Sequence, residues 1–176
     1  WPRGSEDDNY VFTPYNTVVN AFHYRAMQLL ARMAEALGRH DEARELNSYC
    51  DAFRHTFNAA MIDPTTGTYR DGIDTDHRSL HANLFPLAFG LVPEEYERSV
   101  VDYIRSRGMA CSVYAAQFLL DGLYDMAEGD YALHLLTKDD IRSWRNMIRA
   151  GATITFEAWD NSFKPNQDWN HAWGAA

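Results

Sequence analysis

The sequence has 176 residues, 46% of them hydrophobic and 23% charged, enough for one soluble domain with a substantial core. Its formal charge of −9 argues against a nucleic-acid surface, which needs clustered Lys and Arg, and disfavours an anionic membrane. No apolar run approaches a bilayer span, and the two cysteines, Cys50 and Cys111, form no disulfide or metal-binding pattern, which leaves buried thiols as the default.

The chain opens on Trp1 with no basic-plus-apolar leader. Its last residues follow directly on a dense aromatic and polar stretch, so we expect a piece of a larger domain. The acidic run Glu6-Asp7-Asp8 comes first. Alone, it reads as a solvated loop before a helix. Three adjacent acids also repel one another, and repulsion raises a carboxyl pKa, as a general acid requires.

Helical spacing then recurs. Val18, Ala21, Phe22, Met27, Leu30, Met33 and Leu37 predict a helix over 14–37, with Pro14 in its first turn and Gly38 at its C-terminus. Ala43, Leu46, Cys50, Phe53, Phe57 and Met61 predict a second over 41–61, with Asp41 as N-cap. The short Gly38-Arg39-His40 connection makes the two antiparallel neighbours. A loop rich in Asp, Thr, Gly and Pro follows, with a short strand pair expected at 68–70. Helices are expected again at 78–89, 94–107, 112–127, 130–137 and 140–150. The stretch 152–164 reads as loop or short strand, and 165–176 as the start of a further helix. Paired helices with alternating short and long connections predict an all-α fold, an α/α toroid. A helical solenoid is the rival, but no repeat recurs at a fixed period.

Two stretches carry candidate chemistry. The loop from Asp71 to His81 holds His77 and His81 four residues apart among carboxylates. It lacks both an HExxH pattern and a calcium-loop spacing, so we expect no metal. The closing segment places Glu157, Trp159, Asp160, Asp168, Trp169, His171 and Trp173 close together. Aromatic faces stack on sugars, and carboxylates and amides bond their hydroxyls. Equally, the tryptophans are core residues and the acids are caps. Composition does not decide between these.

Three segments together resemble one family. Trp1-Pro2, the acidic run and the stretch from Phe12 to Phe22 are similar to the opening of the catalytic domain of family 78 glycoside hydrolases, the bacterial α-L-rhamnosidases. The stretch from Ser79 to Pro93 is similar to a mid-domain motif. The segments Gly151-Ala152-Thr153, Phe156-Glu157-Ala158-Trp159-Asp160 and Asn170-His171-Ala172 resemble the closing active-site motif.

The resemblance implies an (α/α)6 barrel of which this chain supplies roughly the second half, as a fragment of a single catalytic domain. It implies inverting hydrolysis of a rhamnose-containing glycan or glycoside without a cofactor, with Glu157 as general base and Glu6 as general acid. Asp7 stands second for the acid role. Asp7, Trp159, His171, His81 and Trp144 are expected to bind the sugar. The rest of the catalytic domain and accessory β-domains are the expected partners. The acidic run departs from the Arg-Asp-Gly that many members carry there. A non-catalytic sugar-binding toroid and a polysaccharide lyase are the competing functions.

Overall fold

The computed structural model describes residues 8–172. Glu6 and Asp7, and with them the acid assignment and the Trp1-Pro2 motif, lie outside the described residues. So does Trp173.

The architecture is all-α, with seven helices and one small hairpin among the described residues. Helix α1 (Thr17–Ala36) begins where the Asn16 side chain accepts the Val19 N–H at 3.0 Å. That cap satisfies one of the amides a helix start leaves orphaned. Pro14 therefore lies before the helix and not in its first turn. Gly38, at φ 73°, turns the chain into α2 (His40–Met61), a conformation open to glycine because it has no Cβ. The N-cap of α2 is Arg39, not Asp41. Asp41 sits inside the first turn, paired with Arg44, where a carboxylate still opposes the positive helix end.

Strands β1 (Ile62–Asp63) and β2 (Thr68–Tyr69) pair antiparallel, with Ile62 opposite Tyr69. Helix α3 (Leu80–Ala88) starts two residues later than its spacing predicts, because Ser79 caps it by accepting the Ala82 N–H at 3.1 Å. Helix α4 (Glu94–Arg107) carries Glu94, Glu95 and Glu97 in its first turn and Arg105 and Arg107 in its last, both favoured by the helix dipole. Helix α5 (Val113–Asp125) is capped by Ser112, and α6 (Gly129–Thr137) follows. Helix α7 (Trp144–Arg149) is much shorter than the expected 140–150. Residues 140–143 form a turn in which the Ser143 hydroxyl donates to the Asp140 carbonyl at 2.6 Å and accepts the Asn146 N–H. Residues 165–171 are not helical.

Helices α1 and α2, α3 and α4, and α5 and α6 form three successive packed pairs, and α3 also packs on both α1 and α5. Leu80, Leu84, Val100, Ile104, Leu119 and Leu123 are almost wholly buried between them. Phe22 of α1 lies 4.8 Å from Phe85 of α3 and 5.8 Å from Phe118 of α5, ring centre to ring centre, so one aromatic cluster joins the three helices. Gly122 lets α5 approach α3: a methyl there would stand 3.4 Å from the Ala88 backbone. Cys50 and Cys111 are both buried thiols. No described helix is long and apolar enough to cross a membrane.

One rim of this stack gathers the loops. The Thr17 N–H at the head of α1 donates to the Asp71 carbonyl at 2.8 Å. The buried Asp71 carboxylate accepts the Ser79 and Val11 N–H groups, each at 2.8 Å, and bonds His77 Nδ1 at 2.6 Å. Asp8, also buried, accepts the Leu80 N–H at the head of α3 at 2.7 Å and pairs through both oxygens with Arg107 at the end of α4. The heads of α1 and α3 and the tail of α4 thus meet at the same end, and Gly108–Ser112 leads from there to the head of α5.

Candidate active site

The segment after α7 folds back on itself beside this rim. Glu157 N–H donates to the Asp168 carbonyl at 2.9 Å, and His171 N–H to the Thr155 carbonyl at 2.8 Å, so limb 155–159 lies along limb 167–171. The reversal is built by Asp160, whose carboxylate accepts the Ser162 N–H at 2.9 Å and whose carbonyl accepts that of Phe163 at 3.1 Å. Asn146 of α7 clamps the turn by donating to the Trp159 carbonyl and the Asp160 carboxylate. Buried Gln167 ties the limbs together, accepting from the Ala158 N–H at 2.9 Å and donating to Asn161 at 2.8 Å. Burial decides which side chains face inward. Phe156, Ala158 and Trp159 are buried, which leaves Glu157 directed outward with about a fifth of its side chain exposed (21%).

Trp159 is wholly buried, donates Nε1–H to the Cys111 carbonyl at 2.7 Å and meets Trp144 edge to face at 4.8 Å. No face of Trp159 is open to solvent. Its burial fixes Glu157, two residues earlier, against the loop that leads into α5. Trp144 is partly exposed and stands in front of it. Residue Asp160 is likewise structural: the Ser162 N–H and then Asn146 hold its carboxyl below the usual carboxylate range.

Glu157 is held from both sides. Lys164 Nζ bonds Oε1, and the Asp168 N–H donates to Oε2 at 3.0 Å. The Lys164 ammonium first, then this amide, push the Glu157 carboxyl below its ordinary range. At neutral pH it is an ionised acceptor, the state a general base needs. The Asp168 carboxylate turns the other way, to the Asn170 N–H at 3.1 Å and His171 Nδ1 at 3.4 Å, and these also lower its pKa. Tyr114, in the first turn of α5, bonds His171 Nε2. The structure therefore brings Glu157 and His171 together through Asp168, while Trp144 packs on the buried Trp159. Lys164 and Tyr114 complete the group, and nothing in the sequence pattern singled them out.

The remaining candidates have their own partners. His77 is engaged by Asp71 in holding the loop, and His81 lies on α3 beside Phe85, with ring centres 6.2 Å apart. Among the described residues no three His, Cys, Asp or Glu side chains are placed to hold a metal ion. Asp8, the last acid of the opening run, is bonded to Arg107 and the Leu80 amide.

Comparison with known proteins agrees across the chain. An alpha-L-rhamnosidase of Alteromonas sp. (strain LOR) is 25% identical over 164 residues, 90% of this chain and 17% of that protein. One from Streptomyces avermitilis is 26% identical over 159 residues, 85% of this chain and 14% of the relative. The chain thus spans about a sixth of the length of these curated relatives. Among solved structures, alpha-L-rhamnosidase from Dictyoglumus thermophilum superposes with a TM-score of 0.76 at 18% identity, covering 94% of this chain and 21% of that one. The Streptomyces avermitilis enzyme complexed with L-rhamnose gives 0.70 at 24% identity, covering 88% and 16%. The family model for the bacterial alpha-L-rhamnosidase 6 hairpin glycosidase domain matches residues 1–176, and the chain belongs to that family.

Proposed function

We propose that this chain is part of the catalytic domain of an inverting α-L-rhamnosidase, in which Glu157 is the general base. The observation that carries the reading is the Glu157 carboxylate itself: ionised, partly open to solvent, and held by two donors at the rim where the loops converge. The three helix pairs make half of a six-hairpin ring, and the remaining hairpins belong to the rest of the domain. The L-rhamnose bound to the Streptomyces avermitilis relative supports a rhamnoside as substrate class.

In this mechanism a water beside the anomeric carbon gives its proton to Glu157 as its oxygen bonds that carbon. The glycosidic oxygen leaves with a proton from a second carboxyl group. Inverting hydrolases keep the two carboxyls about 6.5–9.5 Å apart, leaving room for the water. Glu6 is the proposed donor, with Asp7 beside it. Asp8, the next residue in the chain, is bonded to the head of α3 and the tail of α4, the end of the stack that also receives Trp159 through Cys111. His171, Trp144 and, from α3, His81 are the proposed sugar contacts, together with Asp7. No cofactor enters the reaction.

The test is Glu157→Gln in the full-length protein. Loss of the base should lower kcat by about 10²–10⁴-fold on natural and activated aryl rhamnosides alike, since water must lose its proton in either case. NMR of the first-formed sugar should show the inverted anomer. An active Glu157→Gln variant, or a retained product, refutes the assignment.

A further inference from the structure

We infer that Lys164 is a positioning residue for Glu157: its ammonium on Oε1, opposite the Asp168 amide on Oε2, fixes the plane and direction of the carboxylate. The inference rests on Glu157 being the base.

An exposed lysine paired with a glutamate ordinarily contributes little, because two long side chains lose entropy to meet. Lys164 differs in how its backbone is fixed. Its N–H reaches the Asp160 carbonyl at 3.4 Å, and its carbonyl accepts the Gln167 N–H at 3.0 Å. Phe163, just before it, lies under the Arg142 guanidinium at 5.0 Å, and Pro165 restricts the chain just after. About a quarter of the Lys164 side chain is exposed (27%), comparable to its partner. The turn therefore delivers the ammonium to one carboxylate oxygen. A carboxylate offers about four lone-pair sites, two for each oxygen. With one taken on each side, Glu157 keeps a lone pair for water while its plane is fixed.

Among the described residues, Asp168 and His171 are the other titratable groups bonded into this limb. The Asp168 carboxylate points away to the Asn170 amide and His171, and His171 is in turn bonded from α5 by Tyr114. Lys164 is the first cause holding the Glu157 carboxyl low, ahead of the Asp168 amide, with His171 a smaller contribution. The sign follows. Without the lysine, Glu157 takes up its proton at a higher pH, and activity fails earlier on acidification.

The experiment measures kcat and KM against pH for the full-length protein and its Lys164→Gln and Lys164→Arg variants, with an activated aryl rhamnoside. Lys164→Gln should move the acid limb of kcat to higher pH, with a several-fold loss at acid pH and little change in KM. Lys164→Arg should restore the limb. An unmoved limb in a folded Lys164→Gln variant makes the lysine merely structural and overturns the inference, provided Glu157→Gln is inactive. If Glu157→Gln is active, the base reading itself falls. A second measurement covers misfolding of Lys164→Gln. Formate, seated against Lys164, should restore turnover to Glu157→Ala by accepting the water's proton. It should do so much less well in Glu157→Ala with Lys164→Met, and equal rescue in both contradicts the role.

Discussion

Replacing Trp159 by Phe separates a core role from a sugar-binding one. The substitution removes the Nε1–H bond to the Cys111 carbonyl, which is 2.7 Å long and buried. A buried carbonyl left without its donor costs about 1–3 kcal/mol. Losing the fused five-membered ring leaves a void, adding about 1 kcal/mol at roughly 24 cal/mol per Å³. The edge-to-face contact with Trp144 survives in part, because Phe retains a ring. The sum is a loss of about 2–4 kcal/mol, read as a lower denaturation midpoint for the helical domain in the full-length protein. Steady-state kinetics on an aryl rhamnoside, under conditions where the variant stays folded, should show KM nearly unchanged, because no face of the indole is exposed to a sugar. Any loss should fall on kcat, through the position of Glu157. A raised KM with undiminished stability would refute this reasoning and return Trp159 to the substrate contacts.

Two further variants address the opening acids. Asp8→Ala should destabilise the protein by about 2–3 kcal/mol, since it strips the acceptor from the buried Leu80 N–H and unpairs a partly exposed Arg107; the denaturation midpoint checks it. Glu6→Gln should impair hydrolysis of a natural rhamnoside far more than that of an activated aryl rhamnoside, whose leaving group departs without a proton, and comparison of the two initial rates measures it.

The helices were legible because burial on one face imposes a 3.6-residue period, and Phe53, Phe57 and Met61 display it plainly. Their ends were less so. Asp41 resembles a cap, yet α2 starts one residue before it, and the acid acts through the first-turn field instead. The charged residues ahead of Ser143 read as helix until the serine's own hydrogen bonds close a turn and delay α7. The acids Asp71, Asp160 and Asp8 looked like chemistry and are chiefly occupied with backbone amides. A backbone N–H that needs an acceptor leaves no mark in a linear sequence. Glu157 was legible through its motif. Lys164 and Tyr114 were not, because each reaches the site only through the reversal at Asp160 or across 57 residues.

The rim gathers helix ends of both polarities, the N-termini of α1, α3 and α5 and the C-terminus of α4, which ends in Arg107. Helices α1, α3 and α5 are capped by Asn16, Ser79 and Ser112 at the end where Asp8, Asp71 and the Glu157 segment are anchored. Helix N-termini carry partial positive charge and favour ionised carboxylates nearby. The buried carboxylates at this rim are each answered locally, Asp71 by the Val11 and Ser79 amides and Asp8 by the Leu80 amide and Arg107. Glu157 is met in the same local way, by the Lys164 ammonium and the Asp168 amide, which together hold its carboxyl below the ordinary range.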